Sequence, residues 1–108
     1  YTMAVPAKTQ GITFNSDGTL LLTRSYRTAK SKSGYISQIR TYIPSYSAVG
    51  AKGNIKKNTA RAVTTLPPMV EGVAVYGTYT YTLFSSTYYK SCKYPTDRVI
   101  AMKTNKLL

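Results

Sequence analysis

The sequence has no histidine, no tryptophan, one cysteine and three acidic residues. Without histidine it lacks both the commonest general base at neutral pH and the commonest metal ligand. Cys92 has no second cysteine to pair with, which excludes an intrachain disulfide and a cysteine-built metal site. It reads as an apolar filler or as a thiol for another chain. The acids, Asp17, Glu71 and Asp97, lie far apart in sequence. A serine triad, a zinc centre and a cysteine protease are therefore excluded within the chain. Two-carboxylate glycoside chemistry would need two acids to converge at roughly 5–10 Å, whereas Asp17 falls in a hairpin turn and Asp97 at a sheet edge. Gly50-Ala51-Lys52-Gly53 lacks the spacing of a nucleotide loop and the Ser or Thr after its Lys. No metal or organic cofactor is expected. No apolar run approaches the roughly 20 residues of a membrane helix, and no stretch sustains a capped helical period.

What is present points to strands. Hydrophobic residues make up 43% of the 108 residues, in the range of a folded domain, and the eleven tyrosines favour extended structure. The chain also contains one unit twice. Val5-Pro6, three residues and Gln10-Gly11-Ile12-Thr13-Phe14 are matched 61 residues later by Leu66-Pro67, three residues and Glu71-Gly72-Val73-Ala74-Val75. Gly18-Thr19 matches Gly77-Thr78 at an offset of 59, and Ile36 to Thr41 match Val99 to Thr104 at 63. A period near 60 containing strand-like runs predicts a β-repeat architecture such as a propeller. The alternative is a small β-sandwich or barrel.

Within the first repeat, assigned to residues 1–61, Ile12 and Phe14 alternate with Thr13 in a half-buried strand. Asn15-Ser16-Asp17-Gly18 supplies a turn, and residues 19–25 return. Residues 27–34 form a basic loop of flexible composition, residues 35–43 a third strand ended by Pro44, and residues 45–58 a long basic loop. Residues 59–66 read as a further strand cut off by Pro67-Pro68. The second repeat, residues 62–108, follows the same plan: strands over 72–76 and 78–84, a Tyr- and Lys-rich loop over 85–95, and a third strand over 96–103. In residues 78–84, Tyr79, Tyr81 and Leu83 share one face and Thr78, Thr80 and Thr82 the other.

The net charge is +12. Arg24, Arg27, Lys30, Lys32, Arg40, Lys52, Lys56, Lys57 and Arg61 succeed one another without an intervening acid. That stretch is either a solvated surface or a site for an anionic polymer such as nucleic acid, an acidic glycan or a wall polymer.

Several strings resemble the C-terminal repeats of a family of exported bacterial β-propeller proteins. They are Gln10-Gly11-Ile12-Thr13-Phe14, the run from Gly18 to Tyr26, the run from Leu66 to Gly72, Leu83-Phe84-Ser85-Ser86, and Cys92 with Pro95-Thr96-Asp97-Arg98-Val99. The resemblance implies an extracellular or cell-surface propeller and no particular activity. Ser85 stands where the family pattern has an acidic residue. The chain opens on Tyr1 rather than Met, so trimming is expected and export stays open.

In a propeller the loops entering the innermost strands line a binding mouth. Gln10 and Glu71 hold that position, which makes them the candidate ligand contacts; Glu71 reads equally as an acceptor for amides of the Pro67-Pro68 loop or as an arginine's partner. Tyr88, Tyr89 and Tyr94, interleaved with Lys90 and Lys93, suit stacking on sugars or bases, or a protein interface. Asp97 and Arg98, adjacent on a strand, are expected to point apart. The expected function is a non-enzymatic binding or structural module, with other propeller blades or copies of itself as partners and no insertion into a membrane. An anionic-polymer binder is the alternative, and a propeller enzyme completed by further blades is the third possibility.

Overall fold

Short runs of alternating apolar and hydroxyl side chains, separated by turn residues, satisfy their backbone groups best as antiparallel hairpins. A computed structural model describes residues 4–43, 60–85 and 95–108, in which seven strands form two antiparallel sheets. In the first sheet β1 (Thr9–Phe14), β2 (Leu20–Arg27), β3 (Tyr35–Tyr42) and β4 (Ala62–Thr65) lie side by side in sequence order. The second holds β5 (Val70–Tyr76), β6 (Tyr79–Phe84) and β7 (Ile100–Lys103), again in order. One 3-10 turn, Thr104–Lys106, is the only helical element among the described residues. The all-β expectation holds, as two open meanders that suit a blade-like or sandwich arrangement; neither closes into a barrel. Strand β4 hydrogen-bonds to β3, with Gln38 opposite Thr65, so the break between sheets falls after Thr65 although the repeat read from sequence begins at residue 62.

Local chemistry sets the turns. Gly18 adopts φ +88°, which lets the Asn15 amide donate to the Thr19 carbonyl at 2.9 Å and close the first hairpin. The basic loop over residues 28–34 is held by its own hydroxyls. Ser31 and Ser33 both donate to the Tyr35 carbonyl, at 2.8 and 3.0 Å.

The sheets meet through one face of the first sheet. Gly11, Thr13, Leu21, Thr23, Ser25, Ser37, Ile39 and Thr41 share that face by register, and the outer edge of β5 lies across it. Backbone groups on that edge, which β6 does not reach, are taken by hydroxyls. The Thr23 hydroxyl donates to the Glu71 carbonyl, Ser25 to the Val70 carbonyl at 2.7 Å, and Ser37 to the Pro67 carbonyl at 2.6 Å. The Ser37 oxygen also accepts from the Val70 amide at 3.1 Å, and Thr13 accepts from the Val75 amide at 3.3 Å. Behind this row Leu21, Ile39 and Leu107 form a core with Val73, Val75 and Met102. A second core of Leu20, Leu22 and Tyr42 lies on the opposite face of the first sheet, against Val5 and Ala60.

The repeat is visible in the backbone itself. Lys8 and Met69, 61 residues apart, both take left-handed conformations, φ +66° and +65°. The carbonyl of each accepts an amide from the following strand: Ser25 donates to Lys8, and Ser85 to Met69. Two residues further on, each copy carries a bulge, where one extra residue stands between Thr9 and Gly11 and one between Val70 and Val73. Third strands depart from the string match. Through Ile12↔Leu22↔Arg40 and Val73↔Thr82↔Ile100 the register equates Arg40 with Ile100, an offset of 60 rather than 63, because the step from second to third strand is the same in both copies, Leu22 to Arg40 and Thr82 to Ile100.

Gly11 is the tightest point. A Cβ there would stand 2.6 Å from the Glu71 carbonyl oxygen and 2.9 Å from Thr23 Oγ1. Gly11→Ala is expected to displace β5 and break the Thr23 bond, costing about 2–4 kcal/mol from overpacking and an orphaned carbonyl; thermal unfolding followed by circular dichroism measures it.

Candidate functional site

The two bulges lie side by side, since Gly11 abuts the Glu71 backbone. The structure thus brings together the starts of the two strands that the sequence singled out. Gln10 is exposed there and Glu71 half-buried. A bulge re-aims the side chain of its extra residue, and in the second copy this turns Glu71 towards the end of β6, where its Oε1 accepts from the Ser85 hydroxyl at 2.8 Å. Among the described residues neither the Pro67-Pro68 loop nor an arginine holds the carboxylate. Ser85 supplies the donor. This end offers one amide side chain, one carboxylate and one hydroxyl, a set suited to hydroxyl-bearing or cationic partners.

Basic candidates separate into committed and free groups. Arg24 donates from Nε to the Ala7 carbonyl at 2.9 Å and lies 5.1 Å over the Tyr26 ring, so it is half-buried structure. Arg27, Lys30 and Lys32 are exposed at the far end of β2 and on the loop that follows. Lys52, Lys56, Lys57, Tyr88, Tyr89, Tyr94 and Cys92 lie outside the described residues. On β3 the side chains of Gln38, Arg40 and Tyr42 share a face with Arg24, and Gln38 Oε1, Arg40 Nε and the Tyr42 hydroxyl are buried without a hydrogen-bond partner.

Asp97 and Arg98 correct an expectation. They form an ion pair, Nε to Oδ1 at 3.1 Å, because they precede β7 on a bend and the opposite-face rule of a strand does not reach them. Both are exposed, so the pair adds little.

Sequence reasoning missed a cleft of about 420 Å³ at the opposite end of β1 and β5. The first hairpin turn (Asn15, Ser16), the β5–β6 turn (Gly77, Thr78), the last residue of β7 (Lys103) and the segment after it (Thr104, Asn105, Leu108) line it. Amide, hydroxyl and ammonium groups there suit a small polar or anionic ligand. The only sequence signal was that the turn residues of both copies recur at one offset; nothing indicated that the segment after β7 would join them.

Among the described residues no group of three or more His, Cys, Asp or Glu could hold a metal, and no helix is long and apolar enough to cross a membrane. The chain matches no family model, no curated protein and no solved structure.

Asp17 anchors the rim of the cleft. Its Oδ1 accepts the Thr19 amide at 2.9 Å, and hydrogen bonds from Thr19 hold the carboxyl below the usual aspartate value. A folded-state value below the unfolded one means that this contribution is present above the unfolded value and lost as pH falls through the folded value. The Thr19 amide proton shift should therefore titrate with a midpoint below that of free aspartate, and Asp17→Asn should abolish that transition in an NMR titration.

Proposed function

We propose that this chain is a non-enzymatic structural and binding module, a pair of blade repeats belonging to a β-propeller of an exported protein. The observation that carries the reading is the twice-built strand entry: a left-handed residue, a carbonyl bonded to the following strand, a bulge and a glycine, in the same order at Lys8–Gly11 and Met69–Gly72. Two meanders that enter alike and pack through their first strands are what a propeller repeats around its axis. Recognition then falls to the bulged end, where Gln10 and Glu71 on their strands and Ser85 just past β6 supply polar groups.

A second reading is favoured by the loop over residues 28–34, which presents exposed Lys30 and Lys32 beside Arg27 on a frame fixed by Ser31 and Ser33. That surface suits an anionic polymer, whose affinity would fall steeply with salt as counterions are released.

One experiment separates the two. Amide spectra of the 15N-labelled chain are titrated with a panel of neutral oligosaccharides and with a sulfated polysaccharide at stepped salt. Shifts centred on Gln10, Glu71 and Ser85, weakened at least tenfold by Glu71→Gln with the melting temperature unchanged, support the module reading. Shifts confined to Arg27–Lys32 with a steep salt slope support the polyanion reading instead.

A further inference from the structure

The contact between the two sheets is one-sided. It uses the front of the first sheet, with Gly11, Thr23 and Ser25, and the back of the second, with Val73 and Val75. The front of the second sheet and the β1 portion of the back of the first are left over. Register equivalence states what they hold. Leu21 and Ile39 on the first front correspond to Tyr81 and Val99 on the second, and Thr23 to Leu83; Val73 and Val75 on the second back correspond to Ile12 and Phe14 on the first. Tyr81, Val99, Leu83, Ile12 and Phe14 are between 39% and 56% exposed, although their counterparts are covered or half-covered.

Two details mark the second front as a face made for company. Gly72, the counterpart of Gly11, has no need within the chain to be glycine: a Cβ there meets only Leu83 Cβ, at an ordinary 3.6 Å, and its φ is not in the left-handed region. Gly11 is required because the backbone of the neighbouring sheet comes within reach of a Cβ. Ser85 is the counterpart of Ser25, whose hydroxyl crosses to the Val70 carbonyl. Among the described residues no sheet lies in front of Ser85, and its hydroxyl turns to its own Glu71. The group corresponding to Val70 is Thr9 on β1, and β1, like β5, is an edge strand with an unpaired side.

We propose that the front of the second sheet receives the β1 side of the first sheet of a second copy of this chain, reproducing between copies the contact that joins the sheets within one. The inference rests on the repeat reading given above. Tyr81, Leu83 and Val99 would cover Ile12 and Phe14, the second copy's β1 backbone would pass over Gly72, and Ser85 would donate to the Thr9 carbonyl. Charge complements shape. Glu71, one of the chain's three acids, lies at the end of the second front beside Ser85, while Lys8 stands next to Thr9 at the start of the receiving strand. Because the two surfaces differ, the contact is head to tail and generates a ring when the rotation closes. Two to four copies would give the four to eight blades usual in a propeller.

The test is absolute mass by light scattering after size exclusion at moderate salt, for the wild type, Leu83→Lys, Phe14→Lys, Gly72→Ala and an equimolar mixture of the first two variants. The wild type is expected at two to four times the 11.9 kDa chain mass. Leu83→Lys and Phe14→Lys should each fall to one chain with melting unchanged, and their mixture should form a two-chain species, since one intact front then meets one intact back. Gly72→Ala should keep the fold and weaken assembly at least tenfold. A wild type at single-chain mass up to about millimolar concentration overturns the proposal. So do assembly that survives Leu83→Lys and Phe14→Lys, and a mixture that fails to pair. The repeat reading fails separately, if Gly11→Ala melts like the wild type.

Discussion

The hydroxyl of Thr23 reaching the carbonyl of Glu71 over Gly11 is the contact on which the arrangement depends. A strand at the edge of a sheet carries backbone groups that must find partners, and leaving one buried and unpaired costs about 1–3 kcal/mol. Here the partners are side chains from the face of another sheet. The glycine is what allows β5 to come close enough. Once β5 is fixed, β6 and β7 follow by pairing, Val73 and Val75 meet Leu21 and Ile39, and Leu107 closes the space between the sheets.

This explains an unusual interior. Thr19, Thr23, Ser25, Ser37, Thr41, Thr80, Thr82 and Thr104 are all buried, nearly as many as the buried hydrophobic residues. Each needs a partner, and most find one at short range: Thr82 donates to the Ile100 carbonyl at 3.0 Å, and Thr80 and Thr104 share a hydrogen bond at 2.7 Å. Apolar burial alone would let one sheet slide over the other. Hydroxyl-to-backbone bonds fix the position along the strand, because they are directional where dispersion is not.

Strands and turns were legible in the sequence, since alternation and Asn/Gly turn chemistry act locally. The face of β6 was not. Hydropathy favours burying Tyr79, Tyr81 and Leu83, yet Thr80 and Thr82 face inward, and only the tertiary partners of those hydroxyls explain why. The third-strand match slipped by three residues because it followed the likeness of Ile36–Thr41 to Val99–Thr104, whereas the register keeps one step from second to third strand in both copies. At the candidate site, the recurrence of Gln10-Gly11 and Glu71-Gly72 coincides with the two bulges, because a bulge and a left-handed residue leave a spacing in the chain. The Asp97–Arg98 pair and the cleft at the other end depend on where β7 starts and where the segment after it runs, and neither leaves a local signal.

The strand entry also says where this architecture accepts changes of length. From Pro6 to Gly11 and from Pro67 to Gly72 the count is the same, and the left-handed residue, the bulge and the glycine are held to that count by bonds at both ends. Past it, the copies differ by one residue in the step from first to second strand, Ile12 to Leu22 against Val73 to Thr82. An added residue in the turn between first and second strands only lengthens an exposed excursion, whereas one added before the glycine would turn β5 over and present its side chains to the hydroxyl row in place of its backbone. Lineages of such a chain are therefore free to vary in loop length while the six residues of each entry stay in step.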